Sequence, residues 1–355
     1  MSLKPNPSIL DIQPYKAGEG KIAGHEKVLK LASNENPLGA STAAVQAFQE
    51  TAADISLYPD PSQKAVRNAL AGVHGLNADE LMVSNGSEAL LDLLIRTYAG
   101  PGDEVLFPRY SFPIYPICTR AGGATPVEAD VVDWGTDIDA LLSGVSERTK
   151  VVIVANPNNP TGTWLPKSDL VRLRMGLRGD ILLIIDAAYA EYMEDDVYSP
   201  GHELVDASQN TVVTRTLSKA YGLANARVGW MHAPVEILEV VSRIKSVFPV
   251  TGPSQAAAVA ALRDQDHVRK TVALNNRLLP WFQKELNDRG IDTPKTIGGN
   301  FVLGLFGKWG GALKADACLR AHGITARLVG VPEGLRISLG LEDDMKRVLS
   351  ALDEK

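Results

Sequence analysis

Between about residues 62 and 250, short apolar runs alternate with stretches of helical period. The runs occupy residues 81–83, 104–107, 151–155, 181–186, 211–214 and 228–231. A strand reads as an unbroken apolar run when both faces of its sheet are covered, and helical crossovers between strands impose parallel order. The alternation therefore predicts an α/β fold with a mostly parallel central sheet flanked by helices. Residues 181–185, I-L-L-I-I, carry no polar alternation and are expected at the sheet's centre. Ahead of this region, residues 1–40 are rich in Pro, Gly and Asn and show little periodicity, which predicts an extended arm that must pack on something to be ordered. Ser41 or Thr42 is expected to cap a helix running to about Asp54. Beyond Pro253 the pattern changes. Helical periods over 254–263, 267–289, 312–322 and 342–352 surround strand-like stretches at 300–306 and 335–339, which predicts a smaller α+β domain. The expected division is an N-terminal arm over 1–45, a large domain over 46–250 and a small domain over 251–355.

Composition narrows the function. A chain of 355 residues suits two domains rather than one simple core. The net charge of -6 argues against a polyanion-binding surface, so no nucleic-acid partner is expected. No apolar stretch is long enough to span a bilayer, and Met1-Ser2-Leu3-Lys4-Pro5 has no apolar signal core, so a cytoplasmic protein without a membrane partner is expected. Two cysteines, Cys118 and Cys318, cannot build a disulfide framework and are expected as buried thiols. The six histidines, at 25, 74, 202, 232, 267 and 322, show no metal-ligand spacing, and no metal is expected. Residues 18–21, G-E-G-K, lack a preceding strand and the Walker spacing, and are expected to form a loop.

Four segments carry chemistry. Residues 214–229, T-R-T-L-S-K-A-Y-G-L-A-N-A-R-V-G, set Lys219 among small and hydroxylated residues, with Arg227 after a Gly-containing turn. A lysine that attacks a carbonyl must be held, partly desolvated and close to an anion site. Asp186 ends the most apolar run, with Tyr189 following as D-x-x-Y; alone, Asp186 reads sooner as a helix cap at a strand end, and Lys219 downstream turns the reading toward chemistry. Residues 156–162, N-P-N-N-P-T-G, bend the chain at the C-terminal edge of a strand, where open α/β sheets bind ligands. Asn85-Gly86-Ser87-Glu88 lies between a strand and a helix, where free N–H groups and the Ser87 hydroxyl can cradle a phosphate, a role compatible with simple capping by Ser87.

These segments resemble the class I/II pyridoxal-phosphate (PLP) aminotransferases, with their S/T-x-S-K…R-x-G and N-P-x-N-P-T-G motifs. Residues 31–39 (L-A-S-N-E-N-P-L-G), Tyr58-Pro59-Asp60 and residues 334–340 (G-L-R-I-S-L-G) follow in family order, and with the arm residues Pro14-Tyr15 they look most like the histidinol-phosphate aminotransferase branch. The resemblance implies a fold-type-I PLP transferase with the cofactor held as a covalent aldimine on Lys219. It implies a pyridine-nitrogen role for Asp186, phenolic-oxygen contacts from Tyr189 and Asn159, and catalysis by Lys219, Asp186 and Tyr189. Gly86, Ser87, Glu88, Thr216, Ser218 and Arg227 would form the phosphate cup. Tyr110 would stack on the ring, although alone it reads as a core aromatic. Tyr58 would reach the partner subunit's cofactor in a homodimer, whose arm packs on the small domain and on the partner. Tyr15, Asn34, Gly39, Arg327 and Arg336 would bind substrate. Two departures stand out: Asp186-Ala187-Ala188-Tyr189 replaces the common D-E-A-Y, and residues 327–330 (R-L-V-G) are shorter than the usual V-R-P…Y-G-L stretch.

The implied reaction interconverts histidinol phosphate and 2-oxoglutarate with imidazole-acetol phosphate and glutamate, its reverse direction serving L-histidine biosynthesis. An aromatic amino acid aminotransferase on the same scaffold is the alternative, since one ring swap discriminates by only ~1–3 kcal/mol. A PLP-dependent decarboxylase, a PLP-binding regulator and a nicotinamide dehydrogenase are weaker readings, the last because no G-x-G-x-x-G follows the first strand.

Overall fold

The computed structural model describes residues 3–15, 18 and 20–354. Met1, Ser2 and Glu19, on which the readings of the N-terminus and of the loop at 18–21 partly rest, lie outside the described residues.

Seven strands form the large sheet: β1 (Leu81–Asn85), β2 (Glu104–Pro108), β3 (Thr125–Ala129), β4 (Thr149–Ala155), β5 (Leu182–Asp186), β6 (Thr211–Thr216) and β7 (Val228–His232). Their order is β1-β7-β6-β5-β4-β2-β3, and every neighbouring pair is parallel except the two made by β7. Each apolar run seen in the sequence is one of these strands, and β5 lies at the centre of the order as its composition requires. Alternate side chains serve opposite layers. Val151, Ile153, Leu182 and Ile184 pack with the helices Ser87–Tyr98 and Ile114–Ala121. Val152, Val154, Leu183 and Ile185 pack on the other side with the helices Ile138–Ser143 and Lys167–Gly176. The edge strand β3, T-P-V-E-A, is the one the pattern does not announce. It is half exposed and holds a proline, which only an edge tolerates without losing a ladder bond.

The second core surrounds an antiparallel sheet of β8 (Phe301–Leu305), β9 (Arg327–Leu328) and β10 (Gly334–Ser338), in the order β8-β10-β9. The helices Ala312–Ala321 and Glu342–Asp353 cover it. The arm is stitched to this unit. Leu29–Lys30 pairs in parallel with Ile324–Thr325, Leu31 is buried in the core, and its carbonyl oxygen accepts from Ser338 N at 2.9 Å. Ser41 caps the helix Thr42–Thr51 by accepting from Ala44 N, and a 3-10 turn, Ala52–Asp54, completes that element.

The cores change hands inside the helix Gln265–Asp288 rather than at residue 250. Ala257, Ala258, Ala261, Leu262, Val268 and Val272 pack with Ala44, Val66 and Leu70 of the larger unit, whereas Leu278, Leu279, Phe282 and Leu286 belong to the smaller one. Helical period shows that a face is buried but not against which core. Among the described residues no helix is long and apolar enough to cross a membrane.

Candidate active site

The loops after the C-terminal ends of β1, β4, β5 and β6 converge on a cavity of ≈ 280 Å³. Ser87, Glu88, Asn159, Asp186, Tyr189, Thr216, Ser218, Lys219 and Arg227 all line it, so nine of the expected site residues share one space.

Asp186, the last residue of β5, is buried there. Its Oδ2 accepts from the Tyr115 hydroxyl at 2.9 Å and its Oδ1 from Thr214 Oγ1 at 3.2 Å. Burial raises the pKa of this carboxyl, while both hydrogen bonds and the nearby Lys219 charge oppose the rise. The carboxylate is thus fixed in direction by two donors from different elements. Lys219 Nζ donates to Ser33 O at 3.2 Å and lies 5.7 Å from the centre of the Tyr189 ring. Its amine is pushed down to about 8, first by burial and then by the positive charges of Arg336 and Arg227. A larger fraction is therefore neutral, and nucleophilic, at physiological pH than for an exposed lysine. The Tyr189 hydroxyl accepts from Asn34 Nδ2 at 2.9 Å, and Asn34 Oδ1 in turn accepts from Ser338 Oγ at 2.8 Å. The arm and the small domain thus hold a large-domain tyrosine.

The anion cup is assembled from the backbone. Gly86, at φ +82°, precedes the helix Ser87–Tyr98, whose first N–H groups face the cavity without a side-chain cap. A Cβ at Gly86 would come within 2.6 Å of Arg227 Nη2, so only glycine leaves the guanidinium beside that helix start. Arg227 itself has φ +54°, and Thr216 Oγ1 donates to Ser218 Oγ at 3.0 Å across the same rim.

An adjoining cavity of ≈ 340 Å³ takes in Tyr15, Tyr110, Asn159, Arg327 and Arg336. Arg336 is buried. It donates to Asn159 Oδ1 at 2.5 Å and to Ala32 O at 2.7 Å, and among the described residues its Nε has no partner. The Arg327 guanidinium lies 5.0 Å from the centre of the Tyr15 ring. Three arginines line this space; Arg109 is paired with Glu128 and Asp130, which leaves the Arg327 and Arg336 guanidinium groups facing it, and Asn159 lines both cavities.

Tyr110 does not line the Lys219 cavity. Its backbone is left-handed, at φ +57°, and its carbonyl accepts from Asn158 Nδ2, so the side chain turns into the second cavity beside Trp134. Phe112 lines both cavities, so it borders the Lys219 space where Tyr110 does not. The signal was present in the spacing of P-R-Y-S-F-P-I-Y. Phe112 and Tyr115 stand one helical turn apart, and a fully buried tyrosine needs a hydroxyl partner, here Asp186. Gly39 lines neither cavity. Its carbonyl oxygen would lie 2.1 Å from a Cβ at Gly222, so it seats the arm against the turn after Lys219. Tyr58 also lines neither; it is 83% exposed and stacks on Phe248 at 4.5 Å.

The family described as Aminotransferase class I and II matches residues 26–352. Histidinol-phosphate aminotransferase of Rhodospirillum rubrum is 44% identical, covering 98% of this chain and 96% of its own length. That of Paramagnetospirillum magneticum is 42% identical, covering 99% and 98%. A crystal structure of histidinol-phosphate aminotransferase from Sinorhizobium meliloti, in complex with pyridoxal-5'-phosphate, aligns with a TM-score of 0.90 at 28% identity, covering 100% of this chain and 98% of that one.

Proposed function

The chain belongs to the class I and II aminotransferases, in their histidinol-phosphate aminotransferase branch, and on that premise we propose that it transfers the amino group between histidinol phosphate and 2-oxoglutarate with pyridoxal phosphate as cofactor. The observation that carries the reading is the convergence of the Lys219 amine, the Asp186 carboxylate and the Ser87–Arg227 cup on one cavity, beside a second one lined by Arg327 and Arg336.

The residues fit the cofactor. Lys219 would hold its aldehyde carbon, Asp186 its pyridine nitrogen, Tyr189 and Asn159 its phenolic oxygen, and Phe112 its ring. The cup kept open by Gly86 would hold its phosphate, with Ser87, Glu88, Thr216, Ser218 and Arg227 around it. When bound, pyridoxal phosphate supplies an electron sink for the pair left at the substrate Cα. The Lys219 amine, freed when the amino substrate binds, would take the proton from that Cα and carry it as the acid of the second half of the transfer. Its lowered pKa, about 8, suits an amine that must be both base and acid near neutral pH. Asp186 would face the ring nitrogen, whose positive charge would add to that of Lys219 in opposing the burial that raises the carboxyl's pKa.

Arg336 and Arg327 supply more positive charge than a single carboxylate uses, which favours a phosphate-bearing substrate and still admits the carboxylate of glutamate. The aromatic walls of the same cavity, Tyr15, Phe107, Tyr110 and Phe112, fit an imidazole or a phenyl ring. They are the reason an aromatic amino acid aminotransferase remains the second reading. We further propose a homodimer in which Tyr58 of each copy reaches the other's cofactor phosphate, supported by the exposed Ile55, Leu57, Tyr58 and Val247 on one side of the large domain. A cytoplasmic setting is supported by Cys118 and Cys318, which are free thiols.

Lys219→Ala tests the chemistry. Turnover is expected to fall by roughly 10²–10⁴-fold or more, with loss of the absorption band of lysine-linked cofactor but retained noncovalent binding by fluorescence quenching. Turnover close to that of the parent protein would contradict the role of Lys219.

A further inference from the structure

The sheet has a second edge. Val228, at the start of β7, pairs with Asn85 beside the cofactor cup, whereas His232, at its end, pairs with Leu81 at the opposite edge. There His232 meets Glu80, in the turn before β1, and Asp206, in the helix His202–Ala207. These residues lie on three elements far apart in sequence, so no spacing among the histidines announces the group. The three ligand atoms all lie within 4.8 Å of one another. His232 is fully buried, and among the described residues its Nε2 has no hydrogen-bond partner. That nitrogen points between the two carboxylates, 3.7 Å from Asp206 Oδ1 and 3.9 Å from Glu80 Oε2. Among the described residues neither carboxylate has an Arg or Lys partner.

Those separations are too long for hydrogen bonds. They suit a shared ion. Bonds of about 2.1 Å at the tetrahedral angle set two ligand atoms about 3.4 Å apart, so the two partly exposed carboxylates need close in on His232 by only a few tenths of an ångström. Asp206 is well exposed and Glu80 partly so, which leaves room for water to complete the shell. One imidazole nitrogen with two carboxylates suits zinc, whereas magnesium and calcium favour oxygen ligands throughout.

We propose that His232, Glu80 and Asp206 form a zinc site at the sheet edge opposite the cofactor, clamping the helix His202–Ala207 to β7 and to the entry of β1. Ligation through Nε2 requires the ring's proton on Nδ1. That proton has an acceptor, since His232 Nδ1 lies 3.1 Å from His202 Nδ1. Such a partner orients a ligating imidazole. Without the ion, Arg215, which can only donate, approaches His202 Nε2 at 3.4 Å and favours the reverse proton order along the two rings. Zinc binding therefore carries a tautomer change at His232.

The test uses the cofactor-loaded protein, freed of metal by chelator and dialysed into phosphate-free buffer. Zinc chloride is expected to bind at one ion per chain, to raise Tm, and to shift the His232 imidazole nitrogen signals to the Nδ1–H form. Asp206→Asn and Glu80→Gln, both isosteric and at least partly exposed, are each expected to weaken zinc at least tenfold and abolish the Tm rise. Their cofactor absorbance should be unchanged, which shows that the fold is intact. Magnesium chloride is expected to produce neither effect. Absence of bound zinc in the parent protein, or equal binding and Tm shift in both variants, would overturn the site.

Discussion

Asp186 holds two demands in tension: burial disfavours its charge, and the role proposed for it requires that charge. Tyr115 and Thr214 resolve part of the conflict by donating one hydrogen bond to each oxygen, and a protonated ring nitrogen opposite would supply the rest. Asp186→Asn keeps the shape and removes the charge. It is expected to lower kcat by about 10²–10³-fold while the fold and cofactor content, read by circular dichroism and absorbance, persist. A loss smaller than about tenfold would contradict the role given to this carboxylate. Residue identity was legible in sequence wherever a motif fixes both chemistry and backbone, as with Lys219, Asp186, Asn159 and Arg227. It was not legible where several aromatics compete within a few positions. Which of Tyr110, Phe112 and Tyr115 faces the cofactor cavity depends on a left-handed turn at Tyr110, and no residue type in that stretch demands one.

Among elements, the strands buried on both faces announced themselves and the half-exposed ones did not. Residues 181–186 were unmistakable, whereas β3 and the pairing of Leu29–Lys30 with Ile324–Thr325 depend on partners far away in the chain. The polar interior behind β6 and β7 is a second feature that pattern alone does not give. Arg215, buried in β6, pairs with Glu191 at 2.7 Å, two residues beyond Tyr189, and its guanidinium lies 5.4 Å from the centre of the Trp230 ring. His74 stacks on that same ring at 4.9 Å and tilts toward His202. Burial first, and then the Arg215 charge, push the His74 pKa from 6.5 to about 3. The folded-state value is the depressed one, so the unfolded chain binds the proton first as pH falls. The contribution of His74 is present in full above pH 6.5 and is lost progressively down to about pH 3. Through that window it contributes a slope of up to about 1.4 kcal/mol per pH unit. Urea unfolding of His74→Gln is expected to show a flatter loss of stability on acidification than the parent protein. Identical slopes would contradict the assignment.

For the whole molecule, two cores meet along a helix they share, and the arm crosses from one to the other. Asn34 and Asn36 show why the arm matters to chemistry. Asn34 holds Tyr189, and Asn36 Nδ2 donates to Ala220 O, next to Lys219. Sequence separated the two units by their texture but not their boundary, because the helix Gln265–Asp288 gives its N-terminal half to one core and its C-terminal half to the other. In the proposed dimer the exposed Tyr58 acts on the second copy. Tyr58→Phe is expected to leave a dimer by sedimentation while weakening pyridoxal phosphate binding about tenfold or more, the cost of a hydrogen bond to a charged group. Unchanged cofactor affinity would contradict a reach across the interface.

The pairing of Arg327 with Arg336 in one cavity is the central claim about substrate, and kcat/KM tests it most directly. With pyridoxal phosphate present and 2-oxoglutarate as acceptor, histidinol phosphate is compared with phenylalanine. The two-arginine site predicts a preference for histidinol phosphate of about 10³-fold or more, over ~4 kcal/mol of transition-state binding. Comparable values would contradict it and leave an enzyme that reads the ring and not the phosphate.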